Sequence, residues 1–233
     1  SMKIVCKKNE LAKGMQTVQN AVSSKEALPI LSHILLEAEE ENKLKLCATD
    51  LEVGIRTFVK VETVEGGAVT LPGRMINDIV KEAPEDRVEI LTEEKTKVVV
   101  HSGKSCYRIM GLPGEEFPKL PELGSENSFN LTCEMMKEII KRNLFAISRD
   151  EARYALNGIL VQLGKGEIIA VATDGRRLSI LRKDVPGVKK MDRALILPSK
   201  AVNEINKIME SVDGEVKISI GENEVAFHAG EVM

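Results

Sequence analysis

The sequence predicts an α+β fold in which one unit is used twice, each copy packing two helices on antiparallel β-sheets. Three observations predict it. Leu31-Ser32-His33-Ile34-Leu35 returns as Leu156-Asn157-Gly158-Ile159-Leu160, and Ala48-Thr49-Asp50 returns as Ala172-Thr173-Asp174. Leu71-Pro72-Gly73-Arg74 returns as Leu197-Pro198-Ser199-Lys200, and His101-Ser102-Gly103 as His228-Ala229-Gly230. Between these anchors, helix-period stripes and strand-like runs follow one order in both halves, so each copy reads as two βαβββ half-units.

A short strand over Lys3–Cys6 begins the first copy. Leu11, Met15, Val18 and Val22 then fall at i, i+4, i+7 and i+11, which predicts a helix from about Asn9 to Ser23 with one buried face. Apolar runs predict strands over Ile30–Glu37, Lys43–Thr49 and Val53–Glu62, joined by short charged turns as in a meander. Val69–Leu71 is a short strand. Pro72 opens a second helix, Gly73–Glu82, with Ile76, Ile79 and Val80 inward, and Pro84 ends it. Strands over Arg87–Leu91, Lys97–Ser102 and Ser105–Met110 complete the copy.

Pro113–Ser128 carries three prolines and two glycines without periodicity and reads as the connection. It divides the chain into a first domain over 1–122, a linker over 123–127 and a second domain over 128–233. The second copy runs as strand Ser128–Thr132, helix Cys133–Ile147, and strands Gly158–Leu163, Glu167–Thr173 and Leu178–Asp184. Ala194–Leu197 then meets Pro198 and a helix over Ser199–Glu210, before strands Glu215–Ile220 and Glu224–His228. The first copy continues past Ser102-Gly103 with a further strand, so the second domain is expected to lack its last strand and the chain to be part of a longer protein. Ser1 before Met2 reads as a cloning remnant.

Composition narrows the function. Each half of 233 residues is long enough to bury its own core. No apolar run approaches the ~20 residues of a membrane span, and the N-terminus has no signal-peptide stretch, so a cytoplasmic protein without membrane contact is expected. Cys6, Cys47, Cys106 and Cys133 show no CxxC spacing and only three histidines accompany them, so no metal site or disulfide is expected. Cys6, Cys47 and Cys106 lie in strand runs and read as small buried hydrophobes.

The net charge is −3, which by itself argues against a nucleic-acid binder. The basic residues are nevertheless sorted. Opposite the apolar stripes the first helix carries Lys13 with Gln16 and Asn20, and the second Arg74, Asn77 and Lys81. The third carries Lys137, Lys141 and Arg142, and the fourth Lys200, Asn203 and Lys207. These are either ordinary solvated helix faces or a surface for duplex phosphates, bound without regard to sequence. Aromatics make up 3% of the chain with no Trp, which disfavours stacking on single-stranded bases.

Asp50 and Asp174 each follow a strand and invite comparison with a duplicated aspartic dyad. Such a dyad has Thr or Ser after the aspartate, whereas here Thr precedes it, so each aspartate reads as a turn cap. Thr173-Asp174-Gly175-Arg176-Arg177 lacks the spacing of a P-loop and opens onto a strand. His33, His101 and His228 suggest no nucleophile–base pair, so no catalytic residue and no cofactor is expected.

LPILSHILLEA, KLCATDLEVGI, VTLPGRMINDIVKEAP, FPKLP, RYALNGILV, VATDGRRLS and LILPSKAVNEI run in order over essentially the whole chain. In these stretches the sequence resembles the DNA polymerase III beta subunits, the bacterial sliding clamps. The resemblance implies tandem repeats of the DNA-clamp fold, three per chain, with two chains closing a homodimeric ring around duplex DNA. It implies a non-catalytic processivity factor, loaded by an ATP-driven complex, that tethers the polymerase. Partners, the polymerase III alpha subunit and the clamp loader among them, would insert a short hydrophobic peptide into a pocket. Its second-domain side would be Leu156, Thr173, Gly175, Arg176, Arg177 and Leu178. Lys25, Arg153 and Tyr154 would join Lys13, Arg74, Lys81, Lys137, Lys141, Lys200 and Lys207 in facing DNA. Ser105, Cys106, Tyr107, Arg108, Ile109 and Met110 would form the dimer edge. With the third domain absent, this chain is not expected to close a ring and should bind partner peptides weakly. The rival reading is a non-enzymatic repeat scaffold for protein–protein contacts without a DNA role.

Overall fold

A computed structural model describes residues 1–23, 28–39 and 41–233. The chain divides into two units, Ser1–Leu120 and Pro121–Glu231. The first unit runs β1 (Lys3–Lys7), α1 (Lys8–Gln19), β2 (His33–Glu39), β3 (Lys43–Thr49), β4 (Gly54–Lys60), β5 (Glu62–Glu65) and β6 (Gly67–Pro72). It continues with α2 (Gly73–Glu82), β7 (Arg87–Glu94), β8 (Lys97–Ser102), β9 (Ser105–Met110) and β10 (Leu112–Pro113). Two antiparallel sheets result, in the orders β5-β1-β7-β8-β9 and β10-β6-β2-β3-β4.

The pairing exchanges strands between half-units. β1 bonds β7 of the second meander, and β6 bonds β2 of the first. Neither βαβββ half completes a sheet alone.

The second unit repeats the exchange. It runs β11 (Ser128–Thr132), α3 (Cys133–Leu144), β12 (Gly158–Gly164), β13 (Glu167–Thr173), β14 (Leu178–Asp184), β15 (Asp192–Pro198), α4 (Ser199–Met209), β16 (Glu215–Ile220) and β17 (Val225–His228). Its sheets are ordered β14-β13-β12-β15 and β11-β16-β17. Thr132 caps α3, its hydroxyl accepting from the Met135 N–H at 3.1 Å.

α1 buries Leu11, Met15 and Val18 and α2 buries Ile76 and Val80 as their periodicity predicts, with Ile79 only half-buried, while α3 buries Met136, Ile139 and Ile140 and α4 buries Val202, Ile205 and Met209. Gly14 completes the stripe on α1. A β-carbon there would stand 2.5 Å from Val59 Cγ2 and 2.9 Å from Leu46 Cδ1, so the bare backbone lets α1 close on β3 and β4. No helix among the described residues is long and apolar enough to cross a membrane.

Several sequence-based expectations are corrected. α1 ends at Gln19, leaving Val22 beyond it, and α3 ends at Leu144 rather than Ile147. The run at Ile30 opens as a 3-10 turn, Pro29–Ser32, because proline's fixed φ and missing N–H suit a first turn; β2 starts only at His33. Val53–Glu62 is two strands, since the chain breaks at Val61 and passes from the sheet of β4 to that of β5. Cys106 points outward from edge strand β9, whereas Cys133 joins the core. Pro113–Ser128 is not all linker: Leu112–Pro113 pairs with β6, Gly114–Glu116 forms a 3-10 turn, and Phe117 is buried.

Gly14 sets up a contest of magnitudes. Alanine would gain about 1 kcal/mol of helix propensity, while overpacking costs about 1–3 kcal/mol. Gly14→Ala is expected to lower stability by about 1 kcal/mol in urea unfolding. A rise in the midpoint would show that α1 has room to retreat.

Candidate functional site

Thr173–Arg177 links β13 to β14 and closes on itself. The Thr173 hydroxyl donates to the Arg177 carbonyl at 2.6 Å and accepts from the Gly175 N–H at 3.1 Å. One carboxylate oxygen of Asp174 accepts from the N–H groups of Arg176 and Arg177 at 3.0 and 3.1 Å. The other accepts from Arg177 Nε at 3.0 Å. The Arg176 N–H foremost, then the Arg177 donors, hold Asp174 below the usual aspartate value near 3.8.

Thr49–Val53 repeats the four hydrogen bonds that the Thr and Asp side chains make to the turn backbone. The Thr49 hydroxyl donates to the Val53 carbonyl at 3.1 Å and accepts from the Leu51 N–H at 3.0 Å. The Asp50 carboxylate accepts from Glu52 and Val53 at 3.0 and 2.8 Å. Both aspartates are turn caps. Gly175 sits at φ +88°, and Leu51 holds the equivalent place at φ +74°, a left-handed conformation that costs a leucine about 1–2 kcal/mol.

The turns differ in the side chains they present. Arg177 is tied twice, to Asp174 and to Phe145, whose ring centroid lies 5.6 Å from its guanidinium. Arg153 reaches the same turn: its Nη1 lies 3.3 Å from where a Gly175 β-carbon would stand. Arg176 and Leu178 are exposed, and Leu156, half-buried in the 3-10 turn Tyr154–Leu156, leads into β12.

Beyond the turn lies an outward sheet face that the sequence reading missed. The register of β14-β13-β12-β15 sets Ile180, Val171, Leu160 and Ile196 in one row across all four strands. Leu178 and Ile180 are 60% and 55% exposed, an apolar display of the kind that marks docking surfaces. Their shared parity on β14 was the available signal. Phe145 was missed because it sits where α3 was expected to continue.

On the helices, Lys13, Arg74, Lys81, Lys141 and Lys207 are exposed, and Lys137 and Lys200 partly so. α1 packs on α2 and α3 on α4, so these residues fall on two helix pairs. Lys207 pairs with Glu204 at 3.1 Å. Asn77 does not join the polar face, because Gly73, Ile76, Asn77 and Val80 share the buried stripe. Tyr154 is strongly exposed, and Lys25 lies outside the described residues. β9 is the outermost strand of its sheet: Ile109 is buried, Ser105 and Tyr107 are half-exposed, and Cys106, Arg108 and Met110 are exposed. Among the described residues no group of His, Cys, Asp or Glu is placed to hold a metal ion.

Residues 2–121 match the N-terminal domain, and residues 130–233 the central domain, of the DNA polymerase III beta subunit. The chain is 34% identical to the beta sliding clamp of Chlamydia muridarum, over all of this chain and 63% of that protein. It superposes on the DNA polymerase sliding clamp of Bacillus subtilis with a TM-score of 0.94 at 28% identity, covering 99% of this chain and 63% of that one. A sliding clamp from Pseudomonas aeruginosa bound to griselimycin gives a TM-score of 0.91 at 33% identity, with the same coverage. The chain thus spans about 63% of the length of these relatives.

Swapping the residue at the left-handed position should move stability in opposite directions. Gly175→Ala is expected to cost about 1–2 kcal/mol. Leu51→Gly is expected to gain about 0.5 kcal/mol, once the extra entropy of an unfolded glycine is set against the relieved strain. Denaturant unfolding of each variant decides it.

Asp174 carries a pH signature. Its folded pKa is depressed, so its contribution is complete above the usual value near 3.8 and is lost only as pH falls through the lower folded value. Carbon-detected NMR should place the Asp174 midpoint below the ordinary range. Arg177→Ala should raise it only part of the way, because the Arg176 N–H remains.

Proposed function

The chain belongs to the DNA polymerase III beta subunit family, and from that premise we propose that the full-length protein is a sliding clamp. It encircles duplex DNA and tethers the replicative polymerase to it, without catalysis or cofactor. The observation that carries this reading is the domain-for-domain match over residues 2–121 and 130–233.

The charge distribution supports it. A ring holds DNA by topology, so its contacts can be weak and sequence-independent, and an acidic total of −3 is compatible with basic helix faces. Lys13, Arg74, Lys81, Lys137, Lys141, Lys200 and Lys207 face the phosphates from the helices, with Lys25, Arg153 and Tyr154 as further contacts. Exposed lysines on flexible stems exchange between phosphates at little cost, which permits sliding.

The polymerase III alpha subunit and the clamp loader dock through a short hydrophobic peptide onto Leu156, Thr173, Gly175, Arg176, Arg177 and Leu178. The turn supplies a preorganised edge, because Thr173 and Asp174 already satisfy its N–H groups. Leu178 and the neighbouring apolar row supply the surface such a peptide would cover. Arg177 is held by Asp174, while Arg176 extends from the rim. The edge Ser105–Met110 pairs with the second subunit, since an outer strand presents unpaired N–H and C=O groups. The clamp works in the cytoplasm, and the 233-residue chain alone does not close the ring.

Full-length protein loaded on nicked circular duplex should stay bound through a high-salt gel-filtration column and be lost once the circle is linearised. The 233-residue chain should elute from both. Equal retention on circular and linear DNA would overturn the reading.

A further inference from the structure

The two units make the same turn but finish the sheet face beside it differently. In the first unit the register of β6-β2-β3-β4 sets Thr70, Leu35, Cys47 and Arg56 in one row, the counterpart of Ile196, Leu160, Val171 and Ile180. That row is covered. Phe117, itself buried, packs with Leu35 and Cys47, and Ile30 and Leu120 pack around them.

Gly54 is the socket for Leu120, since a β-carbon on Gly54 would come within 2.4 Å of Leu120 Cδ2. Gly54 pairs with Thr49 as Leu178 pairs with Thr173, so the two positions are equivalent. Where the first unit has a bare glycine filled by the chain's own leucine, the second has Leu178, 60% exposed. The covering segment is anchored by Leu112–Pro113, which pair with β6, and by the Phe117 N–H, which donates to the Gly114 carbonyl at 3.1 Å.

We propose that Phe117–Leu120 is a resident occupant of the first unit's copy of the docking face, filling from within the chain the place that a partner peptide takes on the second unit. This rests on the reading of the second-unit face as a docking site. The occupant's chemistry is an extended segment with an aromatic residue and, three positions on, a leucine, stiffened by Pro118. A segment tethered this closely acts at an effective concentration of roughly millimolar, so free peptides of modest affinity do not displace it. Lifting the segment uncovers a second site for a peptide of its own kind.

Cys47 reports on this state. Its thiol lies in the row that Phe117 covers, and burial pushes its pKa up to about 12, so it is poorly reactive while the segment is in place. Two variants lift the segment: Phe117→Ala with Leu120→Ala, and Gly54→Leu, which puts a leucine where Leu120 sits. Iodoacetamide labelling mapped by mass spectrometry should show Cys47 modified at least tenfold faster in both, with Cys6 and Cys133 unchanged. The capped peptide EFPKLP, residues 116–121, should return Cys47 of the double variant to the wild-type rate.

An unchanged Cys47 rate in Gly54→Leu, or an acceleration that the peptide leaves untouched, would overturn the proposal. If the double variant unfolds, seen as Cys6 accelerating with Cys47, the Gly54→Leu rate decides alone. Failure of the second-unit reading shows elsewhere, as no NMR shift of Leu178 and Ile180 when a partner peptide is added to the wild-type chain.

Discussion

Each unit depends on its strand exchange. β1 closes the sheet of β7, β8 and β9, and β6 closes that of β2, β3 and β4; β11 and β15 do the same in the second unit. Every exchanged strand runs directly into a helix, so each helix is tethered to one meander while its chain continues into the other. Two half-units thereby share one cooperative core, and a defect in either half is felt by both. The arrangement also explains why each unit keeps two helices. A helix whose strand belongs to one sheet and whose following strands belong to the other must pack where both can be reached, and α1 accordingly packs on β3, β4 and α2.

Within that frame the backbone of the Thr-Asp turn is held constant while its surface varies. The four hydrogen bonds from the Thr and Asp side chains to the backbone correspond one to one between Thr49–Val53 and Thr173–Arg177. Because the two side-chain caps are local, the turn survives replacement of every other residue in it, including a leucine at positive φ. The flanking positions are thereby free to differ between the copies: Gly54 stands against Leu178, and Val53 against Arg177.

Much of the fold was legible because the signals were local. β3 and β13 match their predicted spans, and α2 does so because Pro72 and Pro84 bracket it. The C-termini of α1 and α3 were not legible: the residues that follow Gln19 and Leu144, Asn20 and Phe145, keep helical backbone angles, and no glycine marks the stop. The site divided in the same way. Asp50 and Asp174 as caps could be read from the residues alone, since the chemistry is confined to a few positions. The apolar row could not, because Ile180, Val171, Leu160 and Ile196 become neighbours only through the register of four strands. Phe117 was hidden for a related reason. Its partners, Leu35 and Cys47, lie far upstream, and a proline-containing stretch without period gives no sign of burial.

The two outward faces differ by one substitution at the edge of the turn, glycine at position 54 and leucine at position 178. With glycine at position 54, the strand surface beside the turn is low enough for a leucine from elsewhere to lie across it. With leucine at position 178, the strand supplies that apolar volume itself and raises the rim instead. The first solution consumes the face, because a segment seated at the rim must continue over the row behind it, as Phe117 does over Leu35 and Cys47. The second adds exposed apolar area beside the row. A single side chain thus sets whether the strand beside the turn receives a leucine from elsewhere in the chain or carries its own, and the turn backbone need not change in either case.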